Sequence, residues 1–224
     1  NILDKVFTKK SKYIMQTGEN PLVKKRNSFM KKLDTIPYYI HKLFGKGANV
    51  IFHLNKQNND FLSLERAFNE CGIAYDIKSI QSMLIEELEA NNNPEFLRKY
   101  KKEYTDTDEI IQEIQTGKYY LQIPDFELLI QCLSEMEQKV GIILISQKEN
   151  RQKKNDIYFF STQLDNRDIE TAPIVSFHHT FYKEEYILSN ILVDGDGGEL
   201  KYGTTIRELY DKNPIHRKWI NIET

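Results

Sequence analysis

Val140-Gly141-Ile142-Ile143-Leu144-Ile145-Ser146 is a seven-residue apolar run with no helical period. Its β-branched content and its length predict a buried strand. Three more runs of this kind follow it: Ile157–Ser161 (IYFFS), Ile174–Phe177 (IVSF) and Tyr186–Leu192 (YILSNIL). Polar loops separate the first three, and Phe181 to Glu185 is short enough to turn the last pair into a hairpin. Upstream the period changes. Leu64, Ala67, Phe68 and Cys71 recur at helical spacing, as do Ile77, Ile80, Leu84 and Leu88. Asn91-Asn92-Asn93-Pro94 interrupts the pattern, and Pro94 can open a new helix. Asp106 with Glu109 reads as a capping box for a helix over 110–114. Pro124 begins another helix, with Phe126, Leu129, Ile130 and Leu133 turned inward. Thr205 with Glu208 caps a short last helix. One early strand stands apart, Asn49–Leu54 (NVIFHL). Helices first and strands second predict an α+β fold with a central, mostly antiparallel sheet packed by helices.

Composition narrows the class. The 224 residues suit one large domain, or a domain with an extension, and 40% hydrophobic residues can fill its core. Net charge is −2, which gives no global attraction for nucleic acid. The charge is nevertheless uneven. Residues 1–47 carry eleven Lys or Arg against Asp4, Glu19 and Asp34. They read as a basic helical extension preceding a domain over 48–224. The clusters Lys9-Lys10-Ser11-Lys12 and Lys24-Lys25-Arg26 form either a solvated face or a docking surface for an acidic protein partner. No aromatic residues interleave with the first cluster, so nucleic acid is disfavoured. Cys71 and Cys132 are the only cysteines, which suits a reducing cytoplasm, a host cell's included. No run reaches the ~18 apolar residues of a membrane span, and no signal peptide is visible. The first residue is not Met, which suits a piece excised from a longer protein.

The chemistry-bearing segment is Asp60-Phe61-Leu62-Ser63-Leu64-Glu65-Arg66-Ala67-Phe68. It resembles the nucleophile motif of the ovarian-tumour (OTU) family of cysteine deubiquitinases. That motif runs Asp, two residues, Cys, Leu, an aromatic, Arg, a small residue, then an apolar one. Asp60, Leu64, Arg66, Ala67 and Phe68 match; Glu65 replaces the aromatic, and Ser63 stands at the cysteine position. Downstream, Ile80 to Phe96, then Gly117-Lys118-Tyr119-Tyr120 with Glu127-Leu128, then the strand from Val140, follow the family's order. The family's catalytic histidine aligns with Glu185, ahead of Tyr186. The resemblance spans about 49–192. It implies an OTU/papain-like cysteine protease fold acting on ubiquitin or polyubiquitin, with no cofactor and no metal. Ser63 would be the nucleophile, with Asp60 beside it and with backbone N–H groups of Asp60, Phe61 and Leu62 as the oxyanion hole.

A cysteine at a helix N-terminus gains acidity from free N–H groups; a serine hydroxyl ionises far less readily. Ser63 therefore has three readings: an engineered replacement, a natural pseudoenzyme, or a plain N-cap serine. His178 and His179 offer an alternative base, with His179 the choice carried with Glu185. Adjacent strand residues face opposite ways, so one at most could serve. Their ordinary reading is a half-buried edge histidine beside an exposed one. His41, His53 and His216 carry no partner pattern. Cys71 reads as core on the inner face of its helix. Asp194-Gly195-Asp196-Gly197-Gly198 has glycine and acidic residues, yet lacks EF-hand spacing and reads as a turn. Asp125, Glu127 and Lys139 could be assembled into a nuclease-like set by chance alone. Three function classes follow: an OTU-type deubiquitinase, a catalytically dead module binding ubiquitin or another protein, and a non-OTU α+β interaction domain of a larger effector.

Overall fold

The computed structural model describes residues 13–16, 38–45, 47–53, 57–148, 151–182, 185–195, 198–220 and 222. Strand β1 (Tyr13–Gln16) is followed by helix α1 (Tyr38–Phe44) and strand β2 (Asn49–His53). Then come α2 (Asn59–Glu70), α3 (Ile77–Ala90), α4 (Pro94–Leu97), α5 (Thr107–Gln115) and α6 (Ile123–Glu135). Strands β3 (Gly141–Lys148), β4 (Arg151–Ser161), β5 (Ile174–Tyr182) and β6 (Glu185–Asp194) complete the main sheet. Short strands β7 (Leu200–Lys201) and β8 (Gly203–Thr204), helix α7 (Ile206–Lys212) and a 3-10 turn (Pro214–Lys218) end the chain's described part.

The sheet runs β1-β2-β6-β5-β3-β4, with β7 on β6 and β8 on β5. It is α+β as expected, but the sheet is mixed. β1 and β2 are parallel, and so are β3 and β5. The remaining neighbours along this path, β2 with β6, β6 with β5 and β3 with β4, are antiparallel. The parallel β3–β5 contact explains why Ile142 to Ile145 is apolar without alternation. Ile142 and Leu144 pack under α2 to α6, while Ile143 and Ile145 face a second core with α1 and α7. A strand covered on both faces has no solvent side to mark with polar residues.

Local signals place the helix starts. Asp76 accepts from Ser79 N–H at 2.8 Å, Asn93 from Phe96 N–H at 2.9 Å, and Thr205 from Glu208 N–H at 3.1 Å. Asp106 accepts from Glu109 N–H at 3.2 Å. The Glu109 carboxylate reaches back to Thr105 rather than closing the expected box, and α5 spans Thr107–Gln115. The four expected strands are all present, each somewhat longer than its apolar run.

Within 1–47, the described residues are one strand at the sheet edge and a helix whose Ile40, Leu43 and Phe44 join the second core. The Lys9–Lys12 and Lys24–Arg26 clusters lie outside the described residues. Among the described residues no helix is long and apolar enough to cross a membrane.

Phe126 of α6 is fully buried, stacked on Phe160 with centroids 5.8 Å apart and tilted against Phe177. Phe126→Ala is expected to cost about 3–5 kcal/mol in urea denaturation, through lost burial and a cavity. The exposed Glu89→Ala is expected to stay within about 0.5 kcal/mol.

Candidate functional site

β2 pairs with β6 only as far as Ile51 opposite Asn190. Two residues away on β6, Leu188 is fully buried, and its N–H and C=O need partners there. Helix α2 supplies them from side chains. Asp60 Oδ1 accepts from Leu188 N–H at 3.0 Å, and Ser63 Oγ donates to the Leu188 carbonyl at 3.0 Å. Residues at i and i+3 share a helix face, so this pair stands beside the strand as a substitute for the missing ladder. The second Asp60 oxygen accepts from Leu121 N–H at 2.8 Å. Asn190 Nδ2 donates to the Ser63 carbonyl at 2.9 Å, which leaves its Oδ1 to accept from His53 Nε2 at 2.9 Å. Asn190 thereby assigns His53 the tautomer with its proton on Nε2. Burial holds the His53 pKa below the usual range, opposed by the Asn190 bond and assisted by Arg66.

The start of α2 is set by Asn58, in the left-handed region at φ 56°. Its N–H donates to Gly117 O at 2.9 Å, and its side chain accepts from Gln81. Gly117 is at φ +74°, and a Cβ there would stand 3.0 Å from Gln57 Cβ. This close approach brings the 117–122 segment onto the first turn of α2. Ser63 is the fifth residue of the helix, so the N-cap reading is corrected: Asn58 holds that position. Ser63 is fully buried, with a second contact to Asn59 O at 3.3 Å. Of the expected oxyanion groups, the Leu62 N–H donates within the helix to Asn58 O at 2.9 Å. The Asp60 and Phe61 N–H groups belong to the first turn, where the helix supplies no acceptor of its own.

His178 and His179 do face opposite ways, but the expectation of an edge pair is corrected. Both are buried, on β5 between β3 and β6. His178 meets Thr180 Oγ1 at 3.3 Å, and burial lowers its pKa to about 4. His179 is the cross-strand partner of Leu188. Its ring lies 4.6 Å from that of Tyr186, and neither ring nitrogen has a hydrogen-bond partner. Burial first, then His178 and Lys101, lower its pKa to about 3, opposed only by the nearby Leu121 backbone. Asp60, Ser63 and His179 are thus gathered around Leu188, the first two through its backbone. The Ser63 proton is directed at a carbonyl. Glu185 opens β6 opposite Tyr182; its side chain lies outside the described part.

Other sequence candidates separate. Cys71 sits at the C-terminal cap of α2 and is only half-buried, and burial with Glu70 pushes its thiol up to about 11, away from nucleophile chemistry. His216 is buried and meets Leu43 O at 2.7 Å. Gly195 N–H donates to Glu199 O at 2.7 Å, which closes a turn; residues 196–197 lie outside the described part. Glu127 pairs with Lys99 and Lys139 with Asp168. Among the described residues no three His, Cys, Asp or Glu are grouped to hold a metal.

Asp125, at the start of α6, has a role that its place in a chance set with Glu127 and Lys139 does not reveal. It is fully buried and accepts from Tyr100 Oη at 2.6 Å, Tyr119 Oη at 2.6 Å and Gln122 N–H at 2.8 Å. Burial raises its pKa to about 6, and these three bonds limit the rise. Compared with protein-family models, with curated proteins and with solved structures, the chain matches none.

The Asp125 shift has a definite sign. The folded state binds this proton more tightly than the unfolded state, whose carboxyl titrates near 3.8. Stability from this group is therefore full below pH 3.8 and is lost as pH rises towards about 6, by about 3 kcal/mol at most. Asp125→Asn should remove that slope from the pH dependence of urea stability. It should also lower stability at pH 7, because an amide cannot accept all three donors. In the same assay Ser63→Ala should cost about 1–3 kcal/mol, by orphaning the Leu188 carbonyl.

Proposed function

We propose that this chain is a non-catalytic relative of OTU-type deubiquitinases, of the OTU/papain-like type, serving as a binding module for ubiquitin or polyubiquitin. The observation that carries the loss of catalysis is the bond from Ser63 Oγ to the Leu188 carbonyl. A nucleophile needs its proton taken by a base and its oxygen open to a carbonyl carbon. Ser63 is closed to solvent and serves as a donor to backbone. His179, the base chosen from the sequence, is strongly biased to the neutral form, which a base requires, but its nitrogens make no bond to Ser63. The Asp60-x-x-Ser63 spacing is explained by ladder replacement without any reaction. The link to ubiquitin rests on the motif around Asp60 and Arg66 and on the order of elements after it.

The test uses a ubiquitin probe with an electrophilic C-terminus, applied to this chain and to Ser63→Cys, with a ubiquitin titration on the same samples. The expected result is no covalent adduct with either chain, and ubiquitin binding in the range of about 1–100 μM, typical of weak recognition. An adduct on Ser63→Cys would overturn the non-catalytic reading. Absence of both adduct and binding would remove ubiquitin and leave the interaction-domain class.

A further inference from the structure

A groove of about 360 Å3 lies where the start of α6 meets the ends of β3, β4, β5 and β6. That volume falls in the range of small-molecule sites. Ile123, Pro124, Tyr158 and Tyr186 give it apolar walls, and His179 is among the lining residues. Both His179 nitrogens are closed to solvent and make no hydrogen bond of good geometry, although the Leu121 backbone stands near enough to act on the ring. The rim is basic. Lys99 and Lys148 are each matched by an exposed carboxylate, Glu127 at 3.5 Å and Asp156 at 3.3 Å. Lys101 differs: its Nζ donates to Tyr186 Oη at 2.6 Å and stands 4.3 Å from the centre of that ring. Among the described residues no carboxylate lies within ion-pair distance of it. Tyr186 in turn covers the His179 ring.

These contacts form a chain: Lys101 holds Tyr186, and Tyr186 covers an imidazole with spare hydrogen-bonding capacity. We propose that the groove binds a small aryl anion, a flat ring bearing a phosphate or carboxylate. The anion takes Lys101, the ring lies against the tyrosine and proline walls, and Tyr186 swings to let the ligand bond to His179. Lys101 favours an anion because its present acceptor, the Tyr186 hydroxyl, carries no charge to attract the ammonium. The flat shape follows from walls built of aromatic and proline rings, which favour stacked contacts. This site does not depend on the ubiquitin reading.

The test titrates phenyl phosphate, benzoate, phenol and inorganic phosphate separately into the full chain. Binding and the imidazole nitrogen resonances of His179 are followed by NMR. Phenyl phosphate or benzoate should bind with a dissociation constant of about 1 mM or below and move the His179 resonances. Phenol and inorganic phosphate, each lacking one half, should bind about tenfold more weakly or worse. Lys101→Met should weaken the aryl anion about tenfold while its thermal melt stays close to that of the parent. His179→Phe, which removes the bond the ligand makes at the imidazole, should weaken phenyl phosphate about tenfold. Inorganic phosphate binding as well as phenyl phosphate would overturn the proposal, leaving only a lysine rim. So would aryl anions that bind without moving His179, or a water that bridges its nitrogens and persists at saturation.

Discussion

The arrangement depends on one backbone group pair, the N–H and C=O of Leu188. A strand that outruns its neighbour must find partners for both, because a buried orphan costs about 1–3 kcal/mol. Here a helix supplies them. Asp60 accepts and Ser63 donates, one helical turn apart, so α2 is fastened across the end of β2 at a fixed rotation and height. Asn190 adds a bond in the reverse direction, from the strand to the helix backbone, and His53 orients Asn190. The polar interior at this point is a closed circuit in which each member is satisfied by another, the condition under which buried polar groups specify a structure.

A second buried carboxylate works with the first. Asp60 takes the N–H of Leu121, and Asp125 takes the N–H of Gln122 and the hydroxyl of Tyr119. The short segment between α5 and α6 is therefore held at both sides by acids that α2 and α6 bury. For Asp125, hydrogen bonds from the Gln122 backbone and two tyrosine hydroxyls stabilise the charge, and they do not fully offset its desolvation. Such an arrangement fixes geometry at some expense of stability, which is why changes at these acids should act on folding before they act on any ligand.

Much of the architecture was legible because it follows from local rules. The helix starts at Pro94 and Thr205 are written in single residues, and the strands from Val140 onward announce themselves by β-branched runs. Strand order was not legible. The parallel contact of β3 with β5 and the strand at Tyr13–Gln16 depend on pairings distant in sequence. The burial of His178 and His179 follows from that order, since β5 proved to be flanked on both sides. The sequence does carry one signal for the site. Asp60 and Ser63 lie four residues before Leu64 and Ala67, on the same apolar stripe. Polar residues on a buried stripe must be bonded inside, which favours a structural role over an exposed nucleophile.

Asp60 and Ser63 replace a strand at Leu188, and amide hydrogen exchange at Leu188 and Leu121 reads that replacement directly. Both N–H groups donate to the Asp60 carboxylate. They should exchange as slowly as the amides of β3, through global unfolding, and Asp60→Ala should release them by a large factor while β3 stays comparatively protected. Fast exchange at Leu188 in the parent chain, or protection unchanged by Asp60→Ala, would contradict the account and return Asp60 and Ser63 to an open, reactive site.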